Sequence, residues 1–211
     1  MNITSHDEKT EYLYKEFREL AETYIHRQGI SELLTWLDTT DFYVAPASTK
    51  YHGSYKGGLV EHSITVFKEL QFLVQGYNGL DGTTTAPRWN EVIPNTTYTM
   101  ENIAIVSLFH DLCKIGTYKT EYRNVKDGDT WVSKAFYSRK EDFVYGGHGS
   151  KSVYLVMKYL KLTDIEAAAI NCHMASWDLS TYNNPGEVFQ VNPLAWLLHV
   201  ADESATYIKH K

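Results

Sequence analysis

Cysteine is nearly absent from this chain: Cys113 and Cys172 are the only two in 211 residues. With no leader-like start, that usage excludes a disulfide framework and suits a reduced, cytoplasmic setting. No apolar run nears the ~20 residues of a membrane span, so no membrane partner is expected. Positive charge is outnumbered, 20 Lys and Arg against 26 Asp and Glu, for a net charge of −6. The chain as a whole does not attract polyanions, and any grip on nucleic acid has to come from a local basic patch. Internal repeats and low-complexity tracts are also missing, which excludes a solenoid array.

What is present is ordinary in bulk, with 43% hydrophobic and 22% charged residues. A chain of this length fits one domain and buries about 70% of its unfolded surface. The 16 tyrosines favour an aromatic surface or cleft.

Leu13, Phe17, Leu20 and Tyr24 recur at helical spacing, predicting an amphipathic helix over about 8–27 that stops at Gly29. Ser31 restarts a shorter helix, and Asp41 to Tyr55 is irregular. After Gly57-Gly58 a helix runs to about Gln75. Residues 76–98, with Gly76, Gly79, Gly82 and two prolines, read as a long loop, functional or disordered. A helix from Tyr98 to Lys114 follows, then a β-hairpin over 117–145 around an Asp-Gly turn. His148 opens a helix to about Lys161. Thr163-Asp164-Ile165-Glu166 matches a capping box for a helix reaching His173. Asn192-Pro193 starts the last helix, Leu194 to about Ile208. The predicted fold class is mainly α with one small inserted hairpin.

Polar residues that bind metals recur inside these apolar helices. His110-Asp111 sits in Leu108-Phe109-His110-Asp111-Leu112-Cys113-Lys114-Ile115-Gly116. An aspartate there is costly to bury unless it pairs, with Lys114 or Lys119, or coordinates a metal. His62 lies one turn into its helix, His148 between glycines, and His173 at the end of an alanine-rich helix. Asp202 lies in the most apolar segment, three residues after His199, a partner or supporting group for it. Each residue has a bland reading as a core histidine, a turn or a helix-end charge. Together, imidazoles and carboxylates from separate helices point to one shared metal centre. Lys114, four residues after His110, falls on its helix face and suits a substrate's phosphate or carboxylate oxygen. It equally suits a solvated helix end.

The hairpin interleaves Lys119, Arg123, Lys126, Lys134, Arg139 and Lys140 with Tyr118, Tyr122, Trp131, Phe136 and Tyr137. Cations beside rings suit nucleotides or single strands, and they equally suit a solvated hairpin with one packed face.

On these residues the chain resembles the HD-domain superfamily of metal-dependent phosphohydrolases. The order His62, His110-Asp111, Asp202 carries the resemblance, with His148 and His173 as the extra histidines of dinuclear members. The stretch Tyr51-His52-Gly53-Ser54-Tyr55-Lys56-Gly57-Gly58-Leu59-Val60-Glu61-His62 is similar to the HD portion of bacterial 3′–5′ exoribonucleases that join an OB-fold to an HD domain. So are His110 to Gly116 and Leu198-His199-Val200-Ala201-Asp202. The likeness covers about 45–207 of a single domain, with 1–44 as N-terminal helices packing on that core. The sequence departs from that type in having no OB-fold before the HD region. Cys172 stands where many relatives have a second histidine.

The resemblance implies a helical bundle with His62, His110, Asp111 and Asp202 holding a first divalent ion. Asp111 would bridge to a second ion on His148 and His173. The ions, one or two, would be Mn, Fe, Co, Mg or Zn. Asp111 and Lys114 would act in catalysis, and Lys114, His52, Arg123 and Lys119 would bind substrate. The expected activity is hydrolysis of a phosphoester or phosphodiester of a nucleotide or short oligonucleotide. Two alternatives stay open: a di-iron oxygenase resembling myo-inositol oxygenase, and a binding module that keeps its metal for stability.

Overall fold

Helices begin in this chain where the sequence supplies an oxygen for their first N–H groups. In the computed structural model, which describes residues 7–78, 98–140, 146–178 and 184–209, Asp7 accepts from Thr10 N at 2.9 Å to open α1 (Glu8–Tyr24). A reciprocal Thr99–Asn102 box opens α4 (Met100–Phe109), and Thr163 with Glu166 opens α6 (Asp164–Cys172) as the sequence predicts. Between them lie α2 (Ile30–Asp38), α3 (Gly58–Asn78) and α5 (His148–Met157). Two helices starting on proline, α7 (Pro185–Val191) and α8 (Pro193–Ser204), complete the α-helices of the described residues, and a π-turn over Ala205–Lys209 extends α8.

Several boundaries differ from those predicted. The first helix ends at Tyr24, and α2 starts from Gly29 in a left-handed conformation rather than from Ser31. Gly76 lies inside α3, and the predicted loop over 79–97 falls outside the described residues. The helix expected to reach Lys114 stops at Phe109, and Leu112–Lys114 forms a 3-10 turn. Apolar residues continue through that stop, so periodicity gave no warning of it.

Every residue of α4 from Ile103 to Phe109 is buried, the mark of a helix packed on all sides. It is the central helix. α3 packs on α4 and α8, α6 on α5 and α8, and α1 on α3 and α4. Phe17 of α1 meets Phe42 at 5.0 Å and Phe109 at 6.0 Å, both edge-on, fixing the end of α4. The fold therefore delivers His110 and Asp111 to the middle of the bundle.

Two glycine contacts shape the approach to that point. A Cβ on Gly58 would stand 2.0 Å from Gly53 O, so the loop before α3 closes on itself only without one. A Cβ on Gly149 would meet Asn171 O at 2.2 Å, where α5 crosses the end of α6. Gly149→Ala is expected to destabilise the protein by about 1–3 kcal/mol through forced separation of these helices. Thermal unfolding would record this, and an unchanged midpoint would remove the close crossing as a constraint.

The hairpin pairs β1 (Tyr118–Asp127) with β2 (Thr130–Arg139), antiparallel, around Gly128 at φ 59°. The predicted stretch 141–145 lies outside the described residues. The packed face that the solvated-hairpin alternative required is not found among the described residues. Beyond Tyr118, every residue of both strands is exposed or half-exposed, and Tyr122 and Trp131 are 74% and 70% exposed.

Candidate metal centre

His110 and His173 are built alike. Each is the C-cap residue of its helix, and each Nδ1 reaches the carbonyl three residues back, Ser107 O at 2.7 Å and Ile170 O at 2.6 Å. A carbonyl only accepts, so Nδ1 donates and carries the proton. In the neutral ring Nε2 is then left with its lone pair. Both Nε2 atoms are buried and make no hydrogen bond.

Those nitrogens point at carboxylates. His110 Nε2 is 3.5 Å from Asp111 Oδ2 and 4.0 Å from Asp202 Oδ1, and His173 Nε2 is 3.7 Å from Asp111 Oδ1. His62, from α3, places Nε2 3.0 Å from Asp202 Oδ1 and 3.7 Å from Asp111 Oδ2. Lone pairs facing carboxylate oxygens repel unless a proton or a cation lies between them. Two donors each about 2.1 Å from one ion stand roughly 3.0 Å apart at a right angle and 4.2 Å apart when opposed. The observed separations fall in that range. His62, His110 and Asp111 form one buried group able to hold an ion, and His110, His173 and Asp202 another, all donor atoms in a group lying within 4.8 Å. By its chemistry and by its bare Nε2 atoms, the donor set fits a divalent transition metal.

Electrostatics agree. Burial opposes a charge on His110, but the neighbouring Asp111 and Asp202 outweigh it and hold its pKa above the ordinary 6.5. For His62 burial wins and the pKa falls. Burial would also neutralise Asp111, yet Lys114 and His110 keep its carboxyl well below the usual range. Lys114, placed by the 3-10 turn rather than on a helix face with His110, lies 2.5 Å from Asp111 Oδ2. That ion pair is the bland partner that the sequence offered for Asp111, and it sits within the cluster.

The remaining predicted residues divide. His52 lies beside His62, with ring centroids 4.8 Å apart and the rings tilted by 40°, and burial drives its pKa down to about 3. His148 lies beside the cluster but in neither group: its Nε2 is 3.1 Å from Arg139 Nη2 and its Nδ1 is 3.5 Å from Cys113 Sγ. His199 does not partner Asp202; its Nδ1 bonds His173 O at 2.7 Å and its ring stacks on Phe189. Lys119 and Arg123 are exposed on the hairpin and pair with Glu121, away from the expected role at the cluster.

Three neighbours went unpredicted. Cys113 is held by Ser152 Oγ, which accepts from its N–H at 3.0 Å. Arg139 touches His148, and Asp178 Oδ2 accepts from His148 N at 2.7 Å. Cys113 had a signal, its place between Asp111 and Lys114, and Arg139 stood out only as one of the hairpin cations. No family model, curated protein or solved structure matches the chain.

Proposed function

We propose that this chain is a metal-dependent phosphohydrolase of the HD type, cleaving a phosphoester or phosphodiester of a nucleotide or short oligonucleotide. One observation carries the reading: two buried histidines, their tautomers set by backbone carbonyls, aim bare Nε2 atoms at two carboxylates. His62, His110, Asp111 and Asp202 would hold a first ion, with His173 on the far side of Asp111. When bound, such an ion supplies Lewis acidity, polarising a phosphoryl oxygen and making water a stronger acid. Asp111 and Asp202 orient water and counter the positive charge. The Lys114 ammonium, held charged by Asp111, supplies a cation for a phosphoryl oxygen. His52, neutral and at the edge of the cluster, orients the substrate by hydrogen bonding.

The test is metal analysis of the purified protein, then a panel of chromogenic phosphodiesters, dNTPs, cyclic nucleotides and 3′-ended oligonucleotides. At least one ion per chain and cleavage that a chelator removes and Mn²⁺ or Co²⁺ restores are expected. A chain that binds none of these ions would end the proposal. Oxygen uptake with a polyol, without phosphoester cleavage, would assign the oxygenase chemistry instead.

The hairpin supports the nucleotide part of this reading. By register, Tyr118, Tyr122, Tyr137 and Trp131 share one face with Arg139 and Lys126. That face runs from the buried Tyr118 at the cluster out to the tip, about 27 Å at ~3.4 Å per residue. Stacking on such rings is worth about 1–3 kcal/mol per base. Trp131→Ala is therefore expected to raise KM for a single-stranded oligonucleotide about 10-fold while sparing a small chromogenic diester. Equal effects on both substrates would dismiss the hairpin as a substrate platform.

A further inference from the structure

Asp111 turns its two oxygens toward different neighbours. Oδ2 faces His62, His110 and Lys114, whereas Oδ1 has His173 Nε2 at 3.7 Å and Cys113 Sγ at 3.7 Å. The histidine that the resemblance assigns to a second ion, His148, is engaged elsewhere. Arginine only donates, so the 3.1 Å contact with Arg139 Nη2 occupies the lone pair of His148 Nε2. The proton of the neutral ring is then on Nδ1, 3.5 Å from Cys113 Sγ. His148 thus offers an N–H to sulfur, not a lone pair to an ion.

We propose that Cys113 is a metal ligand, with Asp111 Oδ1, His173 Nε2 and Cys113 Sγ holding the second ion and His148 supporting the thiolate through Nδ1–H. This rests on the metal-dependent reading above. The independent observation is His173, fully buried, with Nε2 unbonded and facing the same carboxylate oxygen as the sulfur. Bonds of about 2.3 Å to sulfur and 2.1 Å to oxygen or nitrogen place such donors roughly 3.6 Å and 3.4 Å apart at a tetrahedral centre. Both observed separations, 3.7 Å, are close to these values.

Ligation breaks the S–H bond, forms the S–metal bond and releases one proton to solvent. A thiolate in the set favours Zn²⁺, Co²⁺ or Fe²⁺ over Mg²⁺. The competing explanation is a small buried side chain whose S–H makes a weak bond to Asp111.

Cobalt separates the two. The full chain, freed of metal and titrated with Co²⁺, is expected to show d–d bands together with a near-ultraviolet sulfur-to-cobalt charge-transfer band. Cys113→Ser should lose that band and one ion of two, whereas Cys172→Ser and His148→Gln should keep it. Cobalt bound without charge transfer overturns the proposal and leaves the metal-dependent reading standing. A band that survives Cys113→Ser, or disappears in Cys172→Ser, overturns it as well. Failure to bind cobalt at all sinks both. Should Cys113→Ser not fold, the wild-type and Cys172→Ser spectra decide, because the chain has only these two thiols.

Discussion

Asp111→Asn is expected to strip the centre of bound ions and abolish phosphoester cleavage while leaving the helices in place. Asp111 is within 3.7 Å of His62, His110, His173 and Lys114, so its carboxylate touches side chains of both donor groups. Supporting residues around a metal typically cost 10–100-fold in affinity or activity when removed, and loss of a carboxylate that faces histidines of both groups should exceed about 100-fold. Asparagine keeps the shape and leaves Lys114 an oxygen to bond, but it removes the counter-charge of the buried ammonium, so some loss of melting temperature is expected beside the loss of metal. Metal content, turnover and far-ultraviolet circular dichroism check the three parts. Retained turnover with metal in place would remove Asp111 from the centre.

Glu166→Gln should be the most damaging change away from that centre. The carboxylate is fully buried, and each oxygen accepts two bonds: Oε1 from Arg27 Nη2 at 3.0 Å and Asn102 Nδ2 at 2.9 Å, Oε2 from Arg27 Nη1 at 2.6 Å and Thr163 N at 2.8 Å. Whichever way the glutamine amide turns, its NH₂ meets two donors. Breaking a buried pair of this kind costs about 3–5 kcal/mol, so the melting temperature should drop by about 10 °C. The pair also sets a pH dependence. Burial raises the Glu166 pKa, but Arg27, Thr163 N–H and Asn102 outweigh it and lower it below the ordinary 4.5. Its stabilisation is then complete above the unfolded-state value and is lost as pH falls through the lower folded value. The glutamine variant should lack that acid-side loss. A parallel acid profile in both proteins would show that Glu166 is not its source.

The capping box that the sequence displays at Thr163–Glu166 gave the start of α6, but not the reach of its glutamate to Arg27, 139 positions away. The same division holds at the metal centre. His62, His110, Asp111, His173 and Asp202 stand out because a polar ring or carboxylate inside an apolar run requires a partner. The clustering follows from helix faces that the 3.6-residue period makes visible. Lys114 was misplaced because nothing apolar or polar marks the stop at Phe109. The surroundings of His148, with Arg139 on one ring nitrogen and Cys113 on the other, were not legible because the first residue of a helix has no periodic face to aim it. The hairpin was legible as a hairpin from its turn. The exposure of its aromatic face was not legible, because a face carrying Tyr118, Tyr122, Tyr137 and Trp131 reads equally well as a packed one.

The candidate ligands come from α3, the end of α4, α6 and α8, so an ion held there would tie together four helices that no disulfide cross-links. An occupant that binds only the assembled bundle adds about 2.7 kcal/mol at one hundred times its dissociation constant. With such an ion, the resilience of this protein to heat would be partly a property of its surroundings, rising and falling with the supply of free cation.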